Sequence, residues 1–448
     1  MTLTRAFTRL AATLLAATVA TSNPASAATK IQHLVSPGGI EAWFVQDATV
    51  PLVAMEYAFS GGSTQDPARK PGVGNMTAET LDEGAGDLDS KNFHERLERR
   101  AIELRFSVTR DYFRGSLRML KENREEAFDL LQLSLTAARF DSEPIERIRA
   151  QVLSNLRRES TDPGSIGSRR FWEQAFGTHP YAQPTNGTLE SVPNIQASDL
   201  RDYSRRVLAK DTLRVAVVGD IDAISLGILL DKAFGALPTK ADLMPVLDVE
   251  ATQPPKKFSE TVDVPQTSVL FGGPGIRRDD PDFMAAYIVN HILAGGTLSS
   301  RLYKEVREKR GLVYSVSESL IWMKHASIFA GSTATRADKA TETLDTISAD
   351  IARMGNEGPT QQELDEAKSY LKGSQMLALD TSSKIATALL QYQTDNLGID
   401  YIEKRNGIVD AVTLDQAKRV AKRIWGQGLL SVSVGRAPVA SAEPPAAK

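Results

Sequence analysis

Apolar and polar residues alternate along this chain in short blocks. Between the blocks lie stretches in which apolar residues return every third or fourth position. A period of two marks half-buried strands, and a period of 3.6 marks amphipathic helices. By that rule residues 41–46, 53–60, 104–110 and 112–118 are strands, and residues 122–138 form a long helix. Pro144 opens another helix, and a last helix leads into a strand at 214–218. The same order then returns, with strands at 260–264, 268–271, 313–321 and 326–335, a long helix at 339–354, a helix opened by Pro359 and a final strand at 430–434. In each copy the first two strands are expected to pair. Antiparallel strands with helices gathered on one face make an α+β domain.

The repetition has a nearly constant offset. Asp66-Pro67 and Asp280-Pro281 each follow a Gly-rich turn and lie 214 positions apart (280 − 66). The helix-opening Pro144 and Pro359 are 215 apart (359 − 144), and the strand-ending Gly219 and Gly435 are 216 apart (435 − 219). Three landmarks in one order at one offset predict two copies of a single domain. The boundaries expected are a leader at 1–27, a first domain at 28–236, a Pro-rich linker at 237–258, a second domain at 259–437 and an Ala/Pro-rich disordered tail at 438–448.

The leader carries Arg5 and Arg9, then a short apolar run, then Ala25-Ser26-Ala27 as a small-residue cleavage site. That is the pattern of a secretory signal. The run is too short for a permanent anchor, and no later stretch reaches the roughly 18 apolar residues of a spanning helix. The expectation is an exported, soluble protein, in a bacterial periplasm. The chain has no cysteine, which rules out disulfides, thiolate metal sites and a thiol nucleophile. Its formal net charge of −3 gives no reason to expect nucleic acid or an anionic membrane as partner.

Chemistry concentrates in residues 298–319, LSSRLYKEVREKRGLVYSVSES. Leu302, Val306 and Lys309-Arg310 follow helical spacing, Gly311 is suited to end that helix, and the alternation from Val313 begins a strand. Arg307, in the last turns of the helix, and Tyr314, at the start of the strand, are therefore placed to point into one cavity. Guanidinium and phenol both donate to a carbonyl oxygen or an oxyanion. Just upstream, Gly295 and Gly296 form a turn whose N–H groups are placed either to bind a substrate carbonyl or to enter a helix capped by Ser299 or Ser300. Of the five histidines, His94 (in HERLE) reads as a solvated helix face, His291 as a core residue and His179 as part of a turn.

The segment GGTLSSRLYKEVREKRGLVYSVSES resembles the C-terminal-domain signature of the pitrilysin/insulinase family of zinc peptidases, in its short two-domain branch like the mitochondrial processing peptidase. The resemblance implies two homologous α+β domains enclosing a cavity. It implies that Arg307 and Tyr314 hold the substrate backbone and steady the oxyanion, and that Gly295 and Gly296 lie near the substrate. Active members carry His-x-x-Glu-His after the first Asp-Pro, with a third ligand, a glutamate, some 75–80 residues later. Here that segment reads GVGNMTAETLDEG, which puts Asn75 and Glu79 at the histidines and Ala78 at the glutamate, with Ser154-Asn155 at the later ligand. A carboxamide is a poor zinc ligand and alanine is no base.

The resemblance thus implies no metal in this chain and a zinc-bearing homologue as partner. The expected function is that of the non-zinc subunit of an exported heterodimeric zinc endopeptidase acting on peptides. The alternative is a non-catalytic peptide-binding or scaffold protein of the same fold.

Overall fold

The computed structural model describes residues 30–436. The expected leader at 1–27 and tail at 438–448 lie outside the described residues. The first half contains strands β1 (Gln32–Val35), β2 (Glu41–Gln46), β3 (Leu52–Ser60), the two-residue β4 (Gly84–Ala85) and β5 (Leu88–Asp89), β6 (Glu103–Val108), β7 (Tyr112–Leu120) and β8 (Arg214–Gly219). Its helices are α1 (Val73–Ala78), α2 (Ser90–Arg99), α3 (Arg124–Ala137), α4 (Ser142–Glu159), α5 (Pro163–Phe176), α6 (Ala197–Val207) and α7 (Ala223–Phe234). The second half contains β9 (Lys256–Thr261), β10 (Gln266–Pro274), β11 (Val313–Trp322), β12 (Ser327–Arg336) and β13 (Leu430–Gly435). Its helices are α8 (Phe283–Asn290), α9 (Ala340–Glu357), α10 (Gln361–Leu377), α11 (Ser382–Thr394), α12 (Tyr401–Ala411) and α13 (Leu414–Trp425).

The two sheets have one topology. The first runs β1-β2-β8-β3-β7-β6, and the second, read from its other edge, runs β9-β13-β10-β12-β11. Within these two sheets β1 alone lacks a counterpart among the described residues, and β4 and β5 form a separate two-stranded sheet. The expected pairing of the first two strands does not occur. β8 lies between β2 and β3, parallel to the one and antiparallel to the other, and β13 lies likewise between β9 and β10. The reason is burial on both faces: Val215, Ala216, Val217 and Val218 are all fully buried, so β8 belongs at the centre of a sheet. The edge strand β9 begins four residues earlier than residues 260–264 suggested.

Side-chain parity sorts each sheet into two faces. Phe44, Met55, Val215 and Val217 join a core with the helices of the first half, while Val45, Ala58, Ala216 and Val218 pack on Ala386, Leu389 and Leu390 of α11, from the second half. The arrangement is reciprocal. Val269, Phe271 and Phe329 face helices of the second half, whereas Ile328, Leu430, Val432 and Val434 pack on Ile166, Phe171 and Ala175 of α5, from the first. Each sheet's own helices lie on one face, and a helix from the other half covers the second face.

The segment 237–255 holds no helix or strand, yet it is tied down. Gln65 bonds the Met244 backbone in both directions, His179 and His325 contact Leu247 O and Asp248, and Val249 N donates to His325 O. The two hairpin turns of the sheets also meet. Asp111 accepts from the Tyr181 hydroxyl (2.6 Å) and Lys324 N (3.0 Å), and the same hydroxyl accepts from His325 N (3.0 Å).

Tyr57 pairs with Gly115 and Phe271 with Gly331, at the same place in each sheet. A Cβ on Gly115 would lie 2.1 Å from the Tyr57 ring, and one on Gly331 would lie 2.4 Å from the Phe271 ring. Both rings are fully buried, with nowhere to retreat. Gly115→Ala and Gly331→Ala are each expected to destabilise the fold by about 1–3 kcal/mol. Chemical unfolding checks this, and unchanged midpoints would mean that the rings move aside.

Candidate functional site

Arg307 lies in a π-helical turn, Tyr303–Glu308, that replaces the expected α-helix. The turn ends at Gly311, whose φ of +60° favours glycine, and Gly311 N donates to Arg307 O. Leu312 and Val313 are buried, β11 begins at Val313, and a bulge then separates Val313 from Val316. The bulge turns Tyr314 outward, 85% exposed. The partner strand bonds the carbonyls beside it, through the Thr333 hydroxyl to Ser315 O (2.6 Å) and the Thr335 hydroxyl to Leu312 O (2.7 Å).

The seven-residue separation therefore closes in space. The Arg307 guanidinium carbon lies 4.8 Å from the Tyr303 ring centroid and 5.4 Å from the Tyr314 centroid. Stacking of this kind holds a guanidinium by its flat face and leaves its edge donors free. Among the described residues the Arg307 fork and the Tyr314 hydroxyl have no hydrogen-bond or ion-pair partner. Two neighbouring cations are occupied: Lys309 and Arg310 bond Glu305 (2.5 and 2.7 Å). Lys309 and then Arg310 hold the Glu305 carboxyl down at about 2. Arg301 forks onto Glu363 (2.7 and 2.6 Å), anchoring the chain just ahead of the π-turn to α10.

The glycine turn is used differently. His291–Gly295 forms a second π-turn, and Gly296 N donates to His291 O (2.8 Å), so that amide is occupied. The Ser299 hydroxyl bonds Gly296 O, and Ser300 Oγ accepts from Tyr303 N, as a helix-entry cap does. Gly295 is exposed. His291 is half-buried and stacks on the exposed Tyr370 (4.8 Å between centroids), and burial lowers its pKa.

Sequence reasoning missed Glu318. It occupies an inward position of β11, between the buried Val316 and Leu320, and is 1% exposed. Its Oε2 accepts from Asn290 Nδ2 (2.5 Å), linking the Tyr314 strand to the end of α8 ahead of the glycine turn. Burial pushes its pKa up to about 8. The signal was present as a carboxylate in the buried parity of an alternating strand.

The positions aligned with zinc ligands do come together. Asn75 and Glu79 on α1 and its C-cap, with Gln151, Asn155 and Glu159 on α4, line a pocket of about 100 Å³. Ala78 is buried. A carboxamide (Asn75) and a carboxylate (Glu79) stand where the two imidazoles would be, and a carboxamide (Asn155) where the third ligand would be, so this donor set does not fit zinc. His94 faces Glu83 at 3.9 Å rather than only solvent, and Glu83 also bonds Arg147 and the Ser90 hydroxyl (2.5 Å each). Among the described residues no helix is long and apolar enough to cross a membrane.

Two internally related sheets, with a pocket of carboxamides and two carboxylates but no histidine where a metal would sit, define a pitrilysin-type fold without its zinc motif. Residues 194–371 match the family described as the peptidase M16 inactive domain. The chain is 28% identical over 346 residues to the non-peptidase homolog YmxG of Helicobacter pylori, covering 77% of this chain and 80% of that one. It is 22% identical to the uncharacterized zinc protease YmxG of Bacillus subtilis, covering 80% and 86%. The solved peptidase M16 inactive domain from Pseudomonas fluorescens superposes with a TM-score of 0.85 at 28% identity, covering 91% of this chain and 98% of that one. The chain is similar to the M16, or pitrilysin-type, peptidases, and the part matched by the family model is the domain described as inactive.

Glu318 predicts a pH dependence. Its folded pKa of about 8 exceeds the ordinary 4.5, so between those values the folded state keeps a proton that the unfolded state has lost. Its contribution to stability falls as pH rises through that window. Glu318→Gln is expected to gain melting temperature over wild type progressively from pH 5 to pH 8, with little difference at pH 4. Parallel curves across that range would show that Glu318 does not titrate as described.

Proposed function

We propose that this chain is the non-zinc subunit of an exported, periplasmic zinc endopeptidase, paired with a homologous chain that carries the metal. One observation carries the reading: Arg307 and Tyr314 stand in contact with their donors unspent. In this reading they reach the scissile peptide at the partner's zinc. The Arg307 fork takes a backbone carbonyl, and the Tyr314 hydroxyl donates to the oxygen that becomes negative in the tetrahedral intermediate. Preset donors aimed at developing charge need no reorganisation during the reaction. Tyr303 keeps the guanidinium plane fixed beneath them, and Glu305 removes competing cations. The expected leader at 1–27 supports export.

A second reading is favoured by the name of the H. pylori relative, which calls that protein a non-peptidase homolog. On that reading this chain binds peptides or braces an assembly without chemistry.

Mixing the purified chain with a zinc-motif homologue separates the two. A stable heterodimer is expected, with zinc and peptidase activity in the mixture but not in this chain alone. In the mixture, Tyr314→Phe and Arg307→Ala are each expected to leave assembly intact and to lower turnover by about 10²-fold or more. Unchanged turnover would remove the assigned roles. An inert mixture that does not associate would favour the scaffold reading.

A further inference from the structure

A second cleft lies in the first half, away from the π-turn that carries Arg307. It has a volume of about 560 Å³ and lies against α5, the end of α4 and the loop at 182–190. It shares Leu156, Glu159 and Asn186 with the small pocket of Asn75 and Asn155, so one groove continues from the would-be metal position to Arg110. Arg110 comes from the β6–β7 turn. Its guanidinium carbon lies 3.6 Å from the Trp172 ring centroid, and Trp172 in turn stacks on Phe176 (5.4 Å, 21°). Its Nε donates to Tyr181 O (3.1 Å), which fixes the rotation of the fork. Among the described residues its two terminal nitrogens have no partner. Burial lowers its pKa to about 10, a cost that a bound anion would offset. Arg170, nearby, is already committed to Glu173 (2.9 Å) and Glu260 (2.8 Å).

We propose that this groove binds peptide segments through a carboxylate, which docks on the free fork of Arg110 beside Trp172. A guanidinium fixed by an aromatic face and one backbone bond matches the planar carboxylate with two parallel donors. Glu159 and Glu190 line the same cleft and, with Glu173 already paired to Arg170, keep its charge balanced, so a singly charged carboxylate suits it better than a doubly charged anion such as phosphate. The carboxamides of Asn75, Asn155 and Asn186 offer donors and acceptors to a peptide backbone, and Leu156 and Leu189 supply apolar wall. The carboxylate is either a chain terminus or an acidic side chain. The site stands whether or not a zinc-bearing partner exists.

The test is calorimetric titration of the chain with three acetylated alanine tetrapeptides: one with a free C-terminus, its C-terminal amide, and an amide with one internal glutamate. Binding of the first, the third or both, with the neutral amide at least about tenfold weaker, is expected. Which acidic peptide binds tells terminus from side chain. Arg110→Met is expected to abolish the preference. Should that variant unfold, Arg110→Lys keeps the charge without the fork and is expected to weaken acidic peptides about tenfold at unchanged melting temperature. The proposal is overturned by equal binding of acid and amide, by no binding below millimolar, by wild-type affinity in the folded Arg110 variants, or by inorganic phosphate outcompeting the peptides.

Discussion

Everything in this molecule depends on a reciprocal exchange of helices. Each sheet has two apolar faces, and each half supplies helices enough for one. The missing cover comes from the other half, as α5 lies on the second sheet and α11 on the first. Without it, Val45, Ala216 and Val218 on one sheet, or Leu430, Val432 and Val434 on the other, would meet water. Burial of apolar area is the dominant favourable term in folding, so neither half is complete alone. Polar contacts fix the register of the exchange. The Gln393 side chain donates to Val215 O (2.9 Å), Arg114 to Gln391 (3.1 Å) and the Tyr112 hydroxyl to Thr394 O (3.2 Å).

The same constraint explains the connecting segment. A tether between independent domains would be free along its length, whereas residues 244–252 are bonded to Gln65, His179, His325 and Gln174. With two sheets already locked by exchanged helices and by the Asp111–Tyr181–His325 contact, the connection follows a fixed path over the surface. The two functional features sit on different parts of this frame. Arg307 and Tyr314 occupy a π-turn and a bulge, both local departures from regular structure, while Arg110 occupies the hairpin turn where the halves meet. Irregular backbone supported by a rigid scaffold is a common place for binding groups.

Much of this was legible in the residues. The strands appeared from alternation, the helices from their period, and the duplication from Asp66-Pro67, Pro144 and Gly219 with their later counterparts. The placing of Arg307 and Tyr314 on either side of one turn followed from a helix, a glycine stop and a strand in order, whereas their contact through the ring face came only with the structure. The alignment of Asn75, Glu79 and Asn155 to one pocket followed from the family resemblance. Other features were not legible, for physical reasons. Strand neighbours are set by which strand is buried on both faces, so β8 separates β2 from β3 although they are consecutive. A π-turn and an α-turn share the same apolar spacing over six residues. Arg110 and Trp172 stand 62 positions apart (172 − 110) and meet only because α5 crosses to the second sheet beside the β6–β7 turn.

The sequence by itself determined the elements, their duplication, the loss of metal-binding groups and the type of donor placed at Arg307 and Tyr314, because these depend on local periodicity and on the chemistry of single side chains. Only the tertiary structure decided that the two halves exchange helices, that Gly296 spends its amide on His291, that Glu318 is buried on the inner face of the Tyr314 strand and that Arg110 keeps a free fork over Trp172. Each of these depends on which groups are removed from water together, and that is fixed by packing between segments far apart in the chain.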